Sequence, residues 1–363
     1  MRQTGQSVTI FTSLVLLTWA SMGATAAYSQ TVSEVSVLKQ INISKMNVLS
    51  ANYSGITHIE GDRYAVVDDK GYGCGVSFLD IKMDKSNGKV TNVVQRFMPD
   101  MEYRADEMRD GEGIAYCNET GTLFVSGEED QKILEYDMNG KPTGRQLAVP
   151  LSMGKSNIYS NRGFESLTYN NFTKLFWTTT ESALKSDCMS FSANSPCEKN
   201  ILRLQSFGLD WKPVGQYAYK MESPQIRKKN IRNFVHGVSD IVALDTGGLI
   251  VMEREMCVTK KYLGSYCTIR LFIVNPMESE EIEEDTDVNT LSEDKLLRKK
   301  FLCEFTTYLK LGNMGFANYE GMCLGPKLDD GRQTIILIND SQKGAGNMFK
   351  HLKEYLKVIV VKL

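Results

Sequence analysis

Arg109-Asp110-Gly111-Glu112-Gly113-Ile114-Ala115-Tyr116 is a turn with two acids that leads into a short apolar run. The chain writes this unit again. Asn318-Tyr319-Glu320-Gly321-Met322-Cys323-Leu324 and Gly163-Phe164-Glu165-Ser166-Leu167-Thr168-Tyr169 are close copies. Tyr53-Ser54-Gly55-Ile56-Thr57-His58-Ile59 and Val238-Ser239-Asp240-Ile241-Val242-Ala243-Leu244 are looser ones. Each is followed by a turn and a second apolar run that ends in an acid, and a unit repeated in this way marks a repeat architecture.

Working outward from these copies, each unit holds about four short strands separated by turn signals. In the first, Ile56–Ile59 and Tyr64–Val67 flank Glu60-Gly61-Asp62. Val76–Ile81 and Val90–Phe97 then flank Lys85-Ser86-Asn87-Gly88, whose Asn-Gly pair is hairpin chemistry. The other units repeat the order, and almost no helical periodicity interrupts them. Four-stranded units in series predict an all-β fold, a five-bladed β-propeller, with a sixth blade possible in the longer third and fourth units. The fifth unit lacks a fourth strand before the chain ends. The alternating segment Val35–Ile43 (VSVLKQINI) is spare, and pairing it with the C-terminal blade would close the ring and remove an exposed edge.

The chain has 363 residues, 42% hydrophobic and 24% charged, with a formal net charge of -2. That composition suits one large globular domain and gives no basic face for nucleic acid. Arg2, the apolar stretch Val8–Trp19 and the small residues Ala24-Thr25-Ala26 read as a secretory signal over residues 1–26. The expectation is an exported protein, periplasmic, surface-bound or secreted, whose residues 27–363 form a single propeller without a stable membrane span. Export permits disulfides. Of the eight cysteines, Cys188 with Cys197 and Cys257 with Cys267 are close enough in sequence to suggest two bridges. Cys74, Cys117, Cys303 and Cys323 stay unassigned, and for Cys117 and Cys323 a buried free thiol competes with a bridge. Glu278–Asp294 is acidic and Lys295–Lys300 basic, an insertion over about 278–300 that reads as a solvated loop between outer strands or as a cation or partner loop. Ser341–Lys350 is a long loop that could cover one face of the ring.

In a propeller the first strand of each blade is innermost, so the residue that opens it turns toward the channel. Those residues are Ser54, Glu112, Glu165, Ser239 and Glu320. Three carboxylates meeting at one axis repel unless a cation or protons neutralise them, and oxygen ligands at this density suit Ca2+. The second strands return to the same face and end at Asp68, Glu128, Glu181, Glu253 and Asp340; among them Glu128 and Glu181 are candidate general bases. Three residues before the ring position stand Arg109, Arg162 and His236, candidates for binding an anionic substrate at the channel mouth. Arg109 and Arg162 also have a plainer reading, as ion-pair partners of neighbouring acids.

The motifs DGEGIAY (Asp110–Tyr116), GFESLTY (Gly163–Tyr169) and NYEGMCL (Asn318–Leu324), with the strands LFVSGEED and LIVMERE, resemble the exported phytase-like propeller family described as having esterase-like phytase activity. The order Ser, Glu, Glu, Ser, Glu is also similar to that of the calcium-activated apyrases, five-bladed propellers that split nucleoside di- and triphosphates around one central calcium. That resemblance implies Ser54, Glu112, Glu165, Ser239 and Glu320 as calcium ligands. The acidic signatures of true alkaline phytases occur only in part, in Asp110-Gly111-Glu112-Gly113.

The expected function is a calcium-dependent hydrolase of phosphate esters or anhydrides acting on a small phosphorylated substrate. A lactonase or carboxyl-ester hydrolase is a second expectation, distinguished by fewer cations at the mouth. A non-catalytic binding propeller held together by calcium is a third.

Overall fold

The computed structural model describes residues 32–70, 75–97, 109–188, 199–311, 315–347 and 350–363. The expected signal segment, residues 1–26, lies outside them, as do Cys74 and Cys197. The expected Cys188–Cys197 bridge therefore involves a residue that is not described.

Strands follow the repeats. Blade one is β3 (Tyr53–Glu60), β4 (Arg63–Asp68), β5 (Val76–Asp84) and β6 (Lys89–Phe97). Blade two is β7 (Gly111–Cys117), β8 (Thr122–Gly127), β9 (Lys132–Tyr136) and β10 (Pro142–Leu147). Blade three is β11 (Phe164–Asn170), β12 (Leu175–Thr180), β13 (Ile201–Phe207) and β14 (Pro213–Lys220). Blade four is β15 (Ile231–Ala243), β16 (Leu249–Thr259), β17 (Tyr266–Val274) and β18 (Lys299–Tyr308). Each is an antiparallel meander in chain order.

The fifth blade is closed from the other end of the chain. β19 (Asn318–Lys327), β20 (Gln333–Asp340) and β23 (Tyr355–Lys362) supply three strands, and β1 (Glu34–Val37) is the outer fourth. Glu34 pairs with Lys362 and Val37 with Ile359. The predicted single strand Val35–Ile43 is broken, because β2 (Ile41–Asn42) pairs with β23 in a register shifted by one residue, Ile41 with Leu356. Ile43 then opens a short 3-10 turn instead of continuing the strand. A small hairpin, β21 (Gly346–Asn347) with β22 (Lys350–His351), rises from the loop before β23.

The innermost strands touch in the ring order β3, β7, β11, β15, β19 and back to β3. Side chains alternate along every strand, so each blade buries one face against each neighbour. Along β20, Ile335 and Leu337 pack with blade four, whereas Ile336 and Ile338 pack with blade one. Comparable apolar clusters fill the other junctions: Val67, Ile114 and Val125 between blades one and two, Phe124 and Phe176 between two and three, and Trp177, Tyr219 and Val251 between three and four.

The same alternation overturns the expected Cys257–Cys267 bridge, since both are free thiols. Cys257 pairs with Tyr266 and Met256 with Cys267, so the two sulfurs lie on opposite faces of the sheet. Cys117, Cys303 and Cys323 are likewise free and buried.

The acidic insertion does lie between two outer strands, β17 and β18, but it is more than a solvated loop. It crosses onto blade three, where Ile282 N–H donates to Gln216 O (2.8 Å) and Leu297 N–H to Ala218 O (2.8 Å). Val288 and Leu296 pack with Ile201 and Ala218. The buried Arg203 guanidinium holds Asp187 (2.7 and 2.8 Å) and donates to the carbonyls of Glu284 (3.1 Å) and Thr286 (2.7 Å). The insertion thereby covers the outer edge of β14. Among the described residues no helix is long and apolar enough to cross a membrane.

Candidate functional site

One residue in each first strand is displaced from its ladder. Tyr53 pairs with Asp68 and Gly55 with Val67, which leaves Ser54 out. Phe164–Thr180 and Ser166–Thr179 leave out Glu165. Val238–Glu253 and Asp240–Met252 leave out Ser239, and Tyr319–Asn339 and Gly321–Ile338 leave out Glu320. In blade two, Gly111–Gly127 and Ile114–Val125 leave Glu112 and Gly113 opposite one residue. A β-bulge bends its strand and re-aims the extra side chain. Five bulges at one height set the five expected ring residues at one level. The backbones come close there: a Cβ on Gly55 would stand 2.4 Å from Glu112 O of the next blade, so only glycine fits.

The bulges also fix which residue at the end of each second strand faces the ring. On the second strand, the residue next after the partner of the last paired residue before the bulge is Asp69, Glu128, Glu181, Arg254 and Asp340 in blades one to five. For Glu128, Glu181 and Asp340 this agrees with the sequence expectation. Asp68 and Glu253 are corrected by one position, because a one-residue slip sends a side chain to the other face of its strand. Asp68 instead accepts Asn52 N–H (3.3 Å) and Lys70 N–H (3.2 Å). Glu253 accepts the Tyr219 hydroxyl (2.7 Å) and Lys299 Nζ (3.0 Å) away from the axis.

Arg254 is the cation of this assembly, 4% exposed. Its Nη2 donates to Glu181 Oε1 (2.6 Å), and its Nη1 pairs with Glu320. Burial opposes its charge, but Glu320, Glu181 and Glu165 outweigh that and hold the guanidinium protonated. Arg162 pairs with the second Glu181 oxygen, so Glu181 bridges two arginines. The acids without such a partner are driven toward their neutral forms. Burial raises Glu112 well above the ordinary carboxylate range, and Glu165 and Glu320 add to it. Glu165 is raised in the same way, by burial and then by Glu181 and Glu128. Glu128, which accepts Gly163 N–H at 3.0 Å, is pushed up to about 7 by burial, with Glu181 and Asp110 adding to the shift.

Away from Arg254, between blades one and two, oxygens of Asp69, Asp110 and Glu112 lie within 4.8 Å of one another. A hard cation with metal–oxygen distances of about 2.3–2.6 Å spans oxygens up to about 5 Å apart, so these residues fit one. Among the described residues, Asp69 Oδ1 and Asp110 Oδ1 are buried without a hydrogen-bond partner, and Lys70 Nζ donates to the other Asp69 oxygen (2.9 Å). Asp110 has a left-handed backbone (φ 52°), which brings its carboxylate to the bulge. On the axis, Ser239 Oγ is buried and has no partner among the described residues, while Ser54 Oγ donates to Asn52 O (3.3 Å). Every donor here is oxygen, which matches a hard ion and not zinc or copper.

The three expected substrate-facing residues separate. Arg109 is committed within its own blade: Nε and Nη2 hold Asp130 (2.8 and 3.2 Å), Nη1 donates to the Tyr136 hydroxyl (3.1 Å), and Nη2 also donates to Lys132 O (2.9 Å). This is the ion-pair reading of that residue. Arg162 lies beside the ring through Glu181. His236 is buried in blade four next to Gly237, where a Cβ would stand 2.3 Å from Glu181 Cγ.

Sequence reasoning missed Arg254, Asp69 and Asp240. The last is fully buried beneath the ring, with Oδ1 accepting its neighbour Ile241 N–H (2.8 Å) and Oδ2 accepting Met322 N–H of blade five (2.6 Å). Counting register from the bulge would have found the first two. Asp240 carries no signal of its own, since the other copies have Gly or Ser at that place.

The model of the family described as "Phytase-like: Esterase-like activity of phytase" matches residues 50–342. No curated protein matches the chain. Solved structures with a similar course include an endo-arabinase from Bacteroides thetaiotaomicron, at 12% identity and TM-score 0.45 over 89% of this chain and 97% of that one. An α-L-arabinofuranosidase from Podospora anserina is similar at 8% identity and TM-score 0.38, over 87% and 92% of the two chains. The tail fibre of a Staphylococcus aureus phage is similar at 10% identity and TM-score 0.38 over 90% of this chain; the chain spans about half (52%) of that fibre's length.

Proposed function

The chain belongs to the phytase-like family with esterase-like activity, and from that membership we propose that it is an exported hydrolase of phosphate esters or anhydrides that works with a calcium ion at the bulge ring. The observation that carries the proposal is the convergence of Asp69, Asp110 and Glu112 at ion-binding separation, with the buried Glu165 and the partly buried Glu320 close enough to act on Glu112. Carboxylates gathered this closely need a cation or protons. Asp69, Asp110 and Glu112 would hold the ion, with Glu165, Glu320, Ser54 and Ser239 as the further oxygen ligands around the axis. When bound, the ion supplies positive charge that draws a phosphoryl oxygen in and polarises it.

The protein's own groups do the rest. Glu128, titrating near 7, is matched to take a proton from an attacking water at neutral pH. Glu181, the other expected base, is held between Arg162 and Arg254 and instead fixes their guanidinium groups. Arg162, at the edge of the ring, faces the charge that develops on the substrate oxyanion. Arg109 serves as the scaffold of its turn.

A second reading, hydrolysis of a carboxyl ester or lactone, is favoured by one specific observation. With Arg109 on Asp130 and Arg254 buried between two acids, the mouth offers fewer cations than a polyanionic substrate would use.

Purified protein assayed on phytate, a nucleoside diphosphate, p-nitrophenyl phosphate and p-nitrophenyl acetate, with calcium or chelator, separates the readings. Calcium-dependent phosphate release that is lost in Glu112→Gln and reduced about 10²–10⁴-fold in Glu128→Gln supports the first. Turnover of the acetate alone supports the second. No turnover of any substrate, with chelator lowering only the Tm, overturns both in favour of a binding propeller.

A further inference from the structure

Blade four is longer than the others. β15 has 13 residues and β16 has 11, against 7 and 6 in β11 and β12. The added length lies on the ring side. There, one row across the sheet carries His236, Glu255, Thr268 and Thr306, and the next row on the same face carries Val238, Glu253, Arg270 and Glu304.

Two cation-capable groups on this face are buried without enough partners. His236 and Arg270 are each 5% exposed. Both His236 ring nitrogens and Arg270 Nη2 meet no hydrogen-bond partner among the described residues. They converge on one carboxylate: Glu255 stands directly opposite His236 in the ladder, and its Oε2 lies 3.6 Å from Arg270 Nη1. Glu255 is itself occupied by the Tyr266 hydroxyl (2.9 Å) and by Gln225 N–H (2.6 Å). It therefore fixes Arg270 in place and leaves Nη2 unsatisfied. Arg270 Nε is on Glu304 (2.7 Å). The segment Glu222–Asn230, which has no regular structure and is largely exposed, is pinned over this face by Gln225 N–H and by Arg227 N–H to the Tyr266 hydroxyl (3.2 Å).

A buried, unsatisfied guanidinium N–H favours an oxyanion. The imidazole narrows the class. Burial pushes His236 down to about 4, with Glu255 and Glu181 drawing it up and Arg270 and Lys299 pushing it down, so the ring is neutral near pH 7. A neutral imidazole has one donor and one acceptor nitrogen. Its best complement has one oxygen that accepts and another that still carries a proton. Sulfate and carboxylates lack that proton at neutral pH.

We propose that His236 and Arg270 form a binding site for a small oxyanion that carries one proton, hydrogenphosphate or hydrogencarbonate, under the strap 222–230 of blade four. Arg270 Nη2 donates to a charged oxygen, one imidazole nitrogen donates to a second, and the other nitrogen accepts the anion's O–H. The site stands apart from the acid ring and does not need the axial ion. It adjoins Glu181 through Gly237, so occupancy bears on the residue that fixes Arg162 and Arg254.

The test is long-range ¹H–¹⁵N NMR of the imidazoles of the full chain in chelator. Only three histidines are present, and His236→Gln assigns the signal. Inorganic phosphate, hydrogencarbonate, sulfate and acetate are titrated at constant ionic strength. A saturable shift of the His236 signal with phosphate or with hydrogencarbonate is expected, and the stronger of the two names the ligand. Sulfate and acetate are expected to bind at least tenfold more weakly. Arg270→Gln is expected to weaken binding at least tenfold with the other two imidazole signals unmoved; Arg270→Lys provides the same comparison should the glutamine variant not fold. No saturable shift with any anion overturns the proposal. So does an equal response to all four, which means an adventitious ion only, or an undiminished response in both Arg270 variants.

Discussion

Replacing Arg254 by methionine removes the cation between Glu181 and Glu320 while keeping most of the side-chain volume. Both carboxylates stay where bulges and neighbouring blades hold them, one of them 2.6 Å from the lost Nη2. Breaking a buried ion pair by removing one partner costs about 3–5 kcal/mol, because the remaining charge is uncompensated. With chelator present, Arg254→Met is therefore expected to unfold at lower denaturant with a loss of about 3–5 kcal/mol. Guanidinium titration followed by tryptophan fluorescence measures it, since Trp177 is buried at the junction of blades three and four. Calcium should repair part of the loss, as a bound ion takes over the neutralising role. At a hundredfold excess over Kd, binding to the folded state alone adds about 2.7 kcal/mol. The variant should also bind calcium more tightly than the natural protein, because two more carboxylates are open to it. Arg254→Lys keeps the charge but cannot span both acids, and should fall between the two. Stability within about 0.5 kcal/mol of the natural protein in chelator, the range of an ordinary surface substitution, would refute the assignment of Arg254 as the neutralising group.

Three further outcomes follow from particular contacts. Glu354 is fully buried, accepts Ala51 N–H (2.8 Å) and the Ser341 hydroxyl, and is pushed up to about 7 from the ordinary 4.5 by burial. The folded chain thus holds a proton there that the unfolded chain has lost, so stability falls as pH rises from about 4.5 to about 7 and is level above. Glu354→Gln should flatten that window by at most about 3 kcal/mol in denaturant titrations at several pH values. Gly237→Ala sets a methyl group against Glu181 Cγ and the Glu181 carbonyl, and should cost about 1–3 kcal/mol by calorimetry by displacing the carboxylate that fixes Arg162 and Arg254. Leu296→Ala should cost about 2–5 kcal/mol, since Leu296 is 5% exposed and seals the insertion over blade three; an effect below 0.5 kcal/mol would mean the insertion is only solvated.

The fold was legible because it is written five times. Turn residues and short apolar runs recur at matching places, and the spare alternating segment at the start answers a missing strand at the end. The ring residues were legible for the same reason: Ser54, Glu112, Glu165, Ser239 and Glu320 hold one position in the repeat. What failed was the next residue out. Asp68-Asp69 and Glu253-Arg254 each offer two adjacent polar side chains on the second strand, and only the unpaired bulge residue decides which one faces inward. Arg109 looked like a mouth residue because its partner, Asp130, stands 21 positions on, and the sequence does not say which of the adjacent acids Glu128, Glu129 and Asp130 it meets. The insertion looked solvated because its acidic side chains dominate its composition, while the atoms that dock it are backbone N–H groups and a few apolar residues.

The closing strand has a consequence for how the molecule is made. Glu34 pairs with Lys362, so the outermost strand of the last blade is synthesised long before the strand it pairs with. Four blades can form in order as the chain emerges, but β1 must wait, unpaired, for β23. Loop closure over such a span slows folding, and an unpaired strand edge in the interval invites association with another chain. A chain that stops before Tyr355 lacks β23 and leaves β1 without a partner, so quality control of this protein can be exercised at one strand pair.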